Sequence, residues 1–401
     1  MKFFKAIIAF IQVVLLSFGL IPVDYDNVSY GEGTVYVPEI TDALYLVEDG
    51  QSAYSIVIAD DADACIQTAS DELQAYFAKI SGADLPVVTE SQLADGAKAI
   101  FVGETVSSAA LGKDLDTVFE DGFYLTAYED NFYILGEDSR GTLYGVYTFL
   151  EDFCGVRWFT PELEVVPENA DIVIDKALDR LVEPSFAVRR NSCMGSSDAY
   201  RAKMKTNVSF YYEAEEFGGA MTFVLWDVTL DRLVPDSLFA EHPEYFAQLE
   251  DGSRSTDHVC LSHPEVLEIA VSNAREYMRN CKYSADHIHI GQKDNSNYCR
   301  CDTCTALYEQ YGAVSAATLL FTNAFADALD EEFPNFTFTF YSYGETETPP
   351  TDASLRCNDN VVPVLCGLHH ACRNHPLTEC GATDLQQQGL DEFMNLYAEH
   401  E

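Results

Sequence analysis

Segments with strand periodicity alternate along the chain with segments carrying a helical apolar stripe, and that alternation constrains the fold more than any other feature. Strands separated by helices build parallel βαβ units. Tyr54–Ala59 is a β-branched apolar run, and the spacing predicts a helix over 62–81 with Cys65, Ala69, Leu73, Tyr76, Phe77 and Ile80 on one face. Gly82 stands where that helix stops. Ala99–Val102 reads as a buried strand. Gly122–Tyr128 and Asn131–Leu135 read as a strand pair turning at Glu129 and Asp130, and Ser139–Cys154 is again helical. This order predicts a compact α/β domain over residues 46–178, behind a linker at 28–45.

After Pro184 the alternation resumes with longer spacing. Strands are expected at Phe186–Asn191, Val208–Tyr212, Met221–Trp226, His287–Ile290, Phe336–Tyr343 and Val361–Leu365. Helices are expected at Pro264–Asn280, Ser315–Glu332 and Leu385–Glu399. A closed (β/α)8 barrel takes about 250 residues, more than residues 185–401 supply. The fold class expected is therefore α/β: a small α/β N-terminal domain, then a TIM-type (β/α)8 barrel truncated at its C-terminal side. Either the sheet is open or the sequence ends inside the barrel.

Lys2 and Lys5 precede an apolar stretch, Ala6–Val23, and a polar acidic segment from Asp24. Residues 1–27 thus read as a secretory signal, or as an uncleaved anchor that would be the one membrane contact. Both readings put the rest of the chain outside the cytoplasm, secreted or at the cell surface. Lys plus Arg number 23 against 66 Asp plus Glu, a net charge of −43. Such a surface repels a phosphate backbone, so nucleic acid is excluded as a partner.

The chain holds 12 cysteines, and nine of them lie between Cys260 and Cys380. Cys299, Cys301 and Cys304 place three thiols within six residues. They can share a structural zinc with a fourth ligand from Cys260, Cys366, Cys372, His369, His370 or His375. Export favours the competing reading, disulfides from Cys301 or Cys304 to Cys260, Cys281 or Cys372. Buried free thiols are the third. No other cofactor is expected.

The run Ser139-Arg140-Gly141-Thr142-Leu143-Tyr144-Gly145-Val146-Tyr147, continuing to Cys154-Gly155-Val156-Arg157-Trp158-Phe159-Thr160-Pro161, resembles a known small domain. It precedes the catalytic barrel in family 67 α-glucuronidases and family 20 β-hexosaminidases. Glu72-Leu73-Gln74 and Ile80-Ser81-Gly82 fit the same domain. The second half resembles the bacterial domain of unknown function DUF4838. The residues that carry this are His242-Pro243-Glu244-Tyr245-Phe246, Cys260-Leu261-Ser262, Gln292-Lys293-Asp294-Asn295, Tyr298-Cys299-Arg300-Cys301 and His375-Pro376-Leu377. Members of that kind usually continue past the equivalent of Glu401, so the resemblance implies that the last barrel strands lie beyond it.

The resemblance implies a carbohydrate substrate and a glycoside hydrolase, α-glucuronidase-like in its nearest named activity. Such a reaction needs a proton donor and a second carboxylate. Asp294 follows the His287–Ile290 strand, at the C-terminal end where barrel sites form, and is the first catalytic candidate. Glu345, after the Phe336–Tyr343 strand, is the second, and Asp227, after Trp226, stands at another strand end. Gln292, Asn295 and His369 are candidate sugar contacts, and Tyr298, Trp226 and Tyr343 candidate stacking platforms, with Tyr341 beside them. Trp158 reads as packing between domains. Arg189 or Arg190 can pair with a uronic carboxylate, or form a structural salt bridge with one of the many acids. Two rival readings are a glycan-binding or cell-surface protein that has lost the chemistry, and a metal-dependent hydrolase built on the cysteines.

Overall fold

The computed structural model describes residues 40–190, 197–208, 214–281, 285–352 and 354–366. The expected signal at 1–27, most of the linker, His369, His370, His375, Cys372 and the helix at 385–399 lie outside the described residues. Among the described residues no helix is long and apolar enough to cross a membrane.

The chain is a mixed α/β protein with a small N-terminal domain. Strand β1 (Ala43–Val47) begins inside the expected linker and leads to β2 (Tyr54–Ile58) and helix α1 (Ala64–Ser81). β3 (Val87–Thr89), β4 (Lys98–Val102), β5 (Phe123–Tyr128), β6 (Asn131–Gly136) and α2 (Ser139–Asp152) follow. Next come β7 (Arg157–Thr160), β8 (Leu163–Val165), β9 (Ile172–Asp175) and β10 (Asp179–Val182). The main sheet has six strands in the order β10-β5-β6-β4-β2-β3, parallel from β6 to β3 and antiparallel from β10 to β6. β1 pairs with β9, and β7 with β8.

Local chemistry explains these elements. Asp63 caps α1 by accepting from the Ile66 N–H, and Gly82 ends it at φ 76°. The predicted apolar face of α1 is the buried one. Glu129 and Asp130 both have positive φ, 49° and 62°, which is the backbone a two-residue hairpin needs. One face of the sheet, with Ile56, Ile100 and Ile134, packs on Leu73 and Phe77 of α1 and Phe149 of α2. The alternate residues Val57, Phe101 and Tyr133 pack on short turns at Leu93, Leu111 and Leu115.

The second half opens with α3 (Asp198–Lys203) and α4 (Leu230–Leu233), then β11 (Phe246–Gln248), β12 (Arg254–Val259) and α5 (Pro264–Arg279). β13 (His287–Ile290), α6 (Asp302–Tyr311), α7 (Ser315–Asp327), β14 (Thr337–Ser342) and β15 (Val361–Leu365) complete it. β13, β14 and β15 pair in parallel and in chain order. Single parallel bridges extend the series upstream, Phe223 to His287 and Val208 to Met221. The helix-facing side of this sheet buries Ile288, Ile290, Phe338, Phe340 and Val361 against α5 and α7. The parallel series does not close into a barrel among the described residues.

Several expectations are corrected here. The first strand expected after Pro184 is irregular over its described residues, 186–190. Arg189 explains this: its guanidinium takes the carbonyls of Phe186 and Ala187, which a strand would have paired with a neighbour, and also that of Lys205. Met221–Trp226 makes single parallel bridges at Met221 and Phe223 and bends at Val224 and Leu225, rather than forming a full ladder. The helix from Ser315 ends at Asp327, five residues before its expected end at Glu332. Eight strands were not expected: β1, β3, β7, β8, β9 and β10 in the first half, and the antiparallel ribbon of β11 with β12 in the second.

The two halves meet at Asp121. Its fully buried carboxylate accepts from Arg140 Nε, from Arg189 Nη2 and from Asn207 Nδ2, the last at 2.9 Å. Tyr144 of α2 donates to the Thr206 carbonyl at 3.1 Å.

Candidate active site

The parallel strands end side by side, and a tight backbone junction fixes two of those ends. Thr229 donates its hydroxyl to the His289 carbonyl at 2.6 Å and accepts from the Gly291 N–H at 2.8 Å. The N–H groups of Thr229 and Leu230 both donate to the Gly291 carbonyl at 3.0 Å. A Cβ on residue 291 would stand 1.6 Å from the Asp227 carbonyl oxygen. Only glycine lets the two segments approach this closely. Asp227 itself sits in the left-handed region at φ 75°, which an Asp tolerates better than most residues.

The loop after β13 carries Asp294, whose side chain is exposed and accepts a hydrogen bond from the Tyr343 hydroxyl. That bond to a carboxylate raises the Tyr343 phenol above its ordinary range. Gln292 behaves differently from a surface sugar contact. It is buried, and its amide nitrogen donates to the Tyr298 hydroxyl and to the Tyr343 carbonyl at 3.1 Å, with Thr346 Oγ1 also at 3.1 Å. It thus clamps the β13 loop to the β14 loop. Tyr298 is buried as well, stacked on His258 with centroids 4.5 Å apart, and burial pushes its phenol up to about 12. Asn295 is occupied on both sides: its amide donates to the Asp257 carbonyl of β12 at 3.3 Å and its Oδ1 accepts from the Asn297 N–H at 2.9 Å.

An aromatic wall stands beside this loop. Trp226 meets Phe223 edge-on at 4.5 Å, His289 at 4.8 Å and Tyr341 at 6.0 Å. The Arg190 guanidinium lies 5.4 Å from the Trp226 ring centre. His289 is fully buried, with Nδ1 at 2.7 Å from Thr339 Oγ1 and its ring 4.0 Å from that of Tyr341. Its Nε2 has no partner among the described residues. Burial lowers the imidazole to about 3, so it is neutral at ordinary pH. Burial, and then the nearby Asp227 carboxylate, raise Tyr341 to about 12.

Glu345 sits in the turn after β14 and is paired with Arg300 Nη2 at 2.6 Å. Arg189 makes the structural salt bridge with Asp121 described above. Trp158 packs between Tyr76 and Tyr147 and donates its indole N–H to the Tyr76 hydroxyl at 2.7 Å. Cys299, Cys301 and Cys304 do converge, joined by Cys260, and none of the nine described cysteines is in a disulfide. Cys281 stays apart from them.

Sequence reasoning missed Thr229, Gly291 and His289. The signal for His289 was the alternation His287-Ile288-His289-Ile290, which puts both histidines on the face away from the helices. Thr229 and Gly291 leave no local pattern, because their role is a contact across 62 residues.

A profile of the family described as "Domain of unknown function (DUF4838)" matches residues 158–395. The chain belongs to the DUF4838 family. Residues 40–149 match the profile described as "Glycosyl hydrolase family 67 N-terminus". Over 98 residues the chain is 35% identical to a protein of Aspergillus oryzae described as "Probable alpha-glucuronidase A", and equally to its counterpart in Aspergillus flavus. That alignment covers 24% of this chain and 12% of the relative, so the chain matches only a small part of those proteins. Among solved structures, it resembles a GH115 4-O-methyl-α-glucuronidase with specificity for decorated arabinogalactans at 14% identity. The TM-score is 0.44, over 80% of this chain and 45% of that one. A Flavobacterium johnsoniae chitobiase gives 11% identity and TM-score 0.44, over 82% of this chain and 54% of that one.

Proposed function

We propose that this DUF4838 chain is the carbohydrate-acting part of an exported glycoside hydrolase. It combines the small domain at 46–178 with a TIM-type (β/α) barrel whose first strands run in chain order from Val208 to β15. The observation that carries the reading is the setting of Asp294. It is an exposed carboxylate in the loop after the parallel strand β13, and it accepts from Tyr343, the residue that follows β14 two positions beyond Tyr341 of the aromatic wall. Barrel enzymes place their chemistry in the loops that follow their strands, and aromatic faces pack on pyranose rings. The family 67 N-terminal match and the glucuronidase-like relatives support a glycosidic substrate.

In this reading Asp294 is one catalytic carboxylate and Glu345 the other, with Asp227 at the third strand end. Trp226, Tyr341 and Tyr343 form the sugar platform, with His369 a further contact. Gln292, Asn295 and Tyr298 position the loop rather than touch the sugar. Arg190 puts a positive charge beside the platform, where the carboxylate of a uronic acid would be held. The test is hydrolysis of oligosaccharides capped by a uronic acid, compared with caps of N-acetylhexosamine. Release of the uronic acid supports the reading, and no turnover of either contradicts it.

One observation favours a second reading, a glycan-binding protein without chemistry. Glu345, the proposed partner carboxylate, is already engaged by Arg300. Oligosaccharide binding without hydrolysis would establish that alternative.

A further inference from the structure

The geometry points to a structural zinc site made by Cys260, Cys299, Cys301 and Cys304, distinct from the sugar site and independent of what that site does. Cys260 follows β12, Cys299 and Cys301 lie in the loop after β13, and Cys304 is in the first turn of α6. The four sulfurs all lie within 4.8 Å of one another. Cys260 Sγ is 3.7 Å from Cys301 Sγ and 3.8 Å from Cys304 Sγ.

These spacings favour a metal over a disulfide. Zinc binds thiolate at about 2.3 Å, and a regular tetrahedron of that radius has edges of about 3.8 Å. A disulfide joins two sulfurs at about 2.0 Å and has no use for a third. Here Cys260 stands equally far from two partners, as one corner of a tetrahedron does.

The surroundings suit thiolates. Gln248 donates its N–H to Cys299 Sγ at 3.4 Å, and the Ser262 hydroxyl lies 3.1 Å from Cys304 Sγ and 3.9 Å from Cys301 Sγ. Cys301 is the N-cap of the ten-residue helix α6, so that helix directs its positive end at Cys301 and Cys304. Cys260, Cys299 and Cys304 are buried, with Tyr308 packed against them. The site would pin the loop carrying Asp294, Tyr298 and Arg300 to the end of β12, which makes it a clamp on the sugar site rather than a catalytic centre.

Metal content and thiol state of the purified full chain test this. About one zinc per chain is expected, lost in Cys260→Ser and Cys299→Ser and retained in Cys281→Ser. Because those variants can fail to fold, cobalt replacement in the unaltered protein is the second measurement. It should give the thiolate charge-transfer band and the intense visible absorption of a tetrahedral sulfur site. Peptide mapping that finds these four cysteines in disulfides would overturn the proposal. So would four free thiols that take up neither zinc nor cobalt.

Discussion

Arg300 and Glu345 pair at 2.6 Å across two loops that belong to consecutive strands. Arg300 lies between two of the clustered cysteines, and its N–H donates to the Gln248 carbonyl at 2.7 Å. Glu345 lies in the turn that follows β14. The pair therefore links the cysteine cluster to the proposed catalytic edge.

Both side chains are about a third exposed, 31% and 33%, so the pair adds little to stability. Exposed pairs are worth up to about 1 kcal/mol. Arg300→Met should change unfolding free energy by no more than that, while lowering kcat on the sugar substrate. Urea denaturation beside steady-state kinetics reads both quantities. A large stability loss with unchanged kcat would assign the pair a purely structural role.

Gln292 should matter to stability as well as to the shape of the site. Its buried amide serves Tyr298, the Tyr343 carbonyl and Thr346 together. Leaving a buried partner unsatisfied costs about 1–3 kcal/mol. Gln292→Ala should destabilise by that amount in denaturant titration, and a neutral outcome would show that the clamp is not formed.

Gly291 tests the strand junction without altering any polar side chain. Its missing Cβ would meet backbone rather than a movable side chain, so the clash has no cheap relief. Overpacking of a tight site costs about 1–3 kcal/mol and sometimes more. Gly291→Ala should fall at the upper end of that range on thermal unfolding, and full stability would contradict the close approach of Asp227.

The histidine behind the wall gives the pH prediction. His289 titrates near 3 in the folded chain, against an ordinary value of 6.5, because burial disfavours its charged form. Thr339 contacts its Nδ1, and the rings of Trp226 and Tyr341 pack against it. Between those two pH values the unfolded chain binds the extra proton, so stability falls as pH drops from about 6.5 toward 3. His289→Gln should reduce that slope, to which His258 contributes in the same direction and, in the lower part of the range, carboxylates held below their ordinary value such as Asp175 and Asp179. An unchanged slope would contradict the burial of His289.

What the sequence made legible follows from where the information lies. The face, cap and stop of α1 are local, so Cys65, Leu73, Phe77 and Gly82 could be read off directly. β3 has three half-buried residues and no alternation to detect. β12 reads Arg-Ser-Thr-Asp-His-Val, polar enough to pass for a loop, yet it delivers Cys260 to the other three thiols. The sequence offered Cys260 as one of several fourth ligands, and only the β11–β12 ribbon selects it. Asp294 and Glu345 were readable as residues after strands, but their attachments to Tyr343 and Arg300 are contacts across 49 and 45 residues. Gln292 read as a sugar ligand because it flanks Asp294, whereas its side chain turns inward.

The most direct test of the account is turnover of a uronic-acid-capped oligosaccharide by the unaltered chain and by Asp294→Asn. The account predicts measurable hydrolysis that falls at least about 100-fold in the variant, the scale of a lost acid–base group, with binding and unfolding midpoint retained. Equal turnover by both proteins would contradict it.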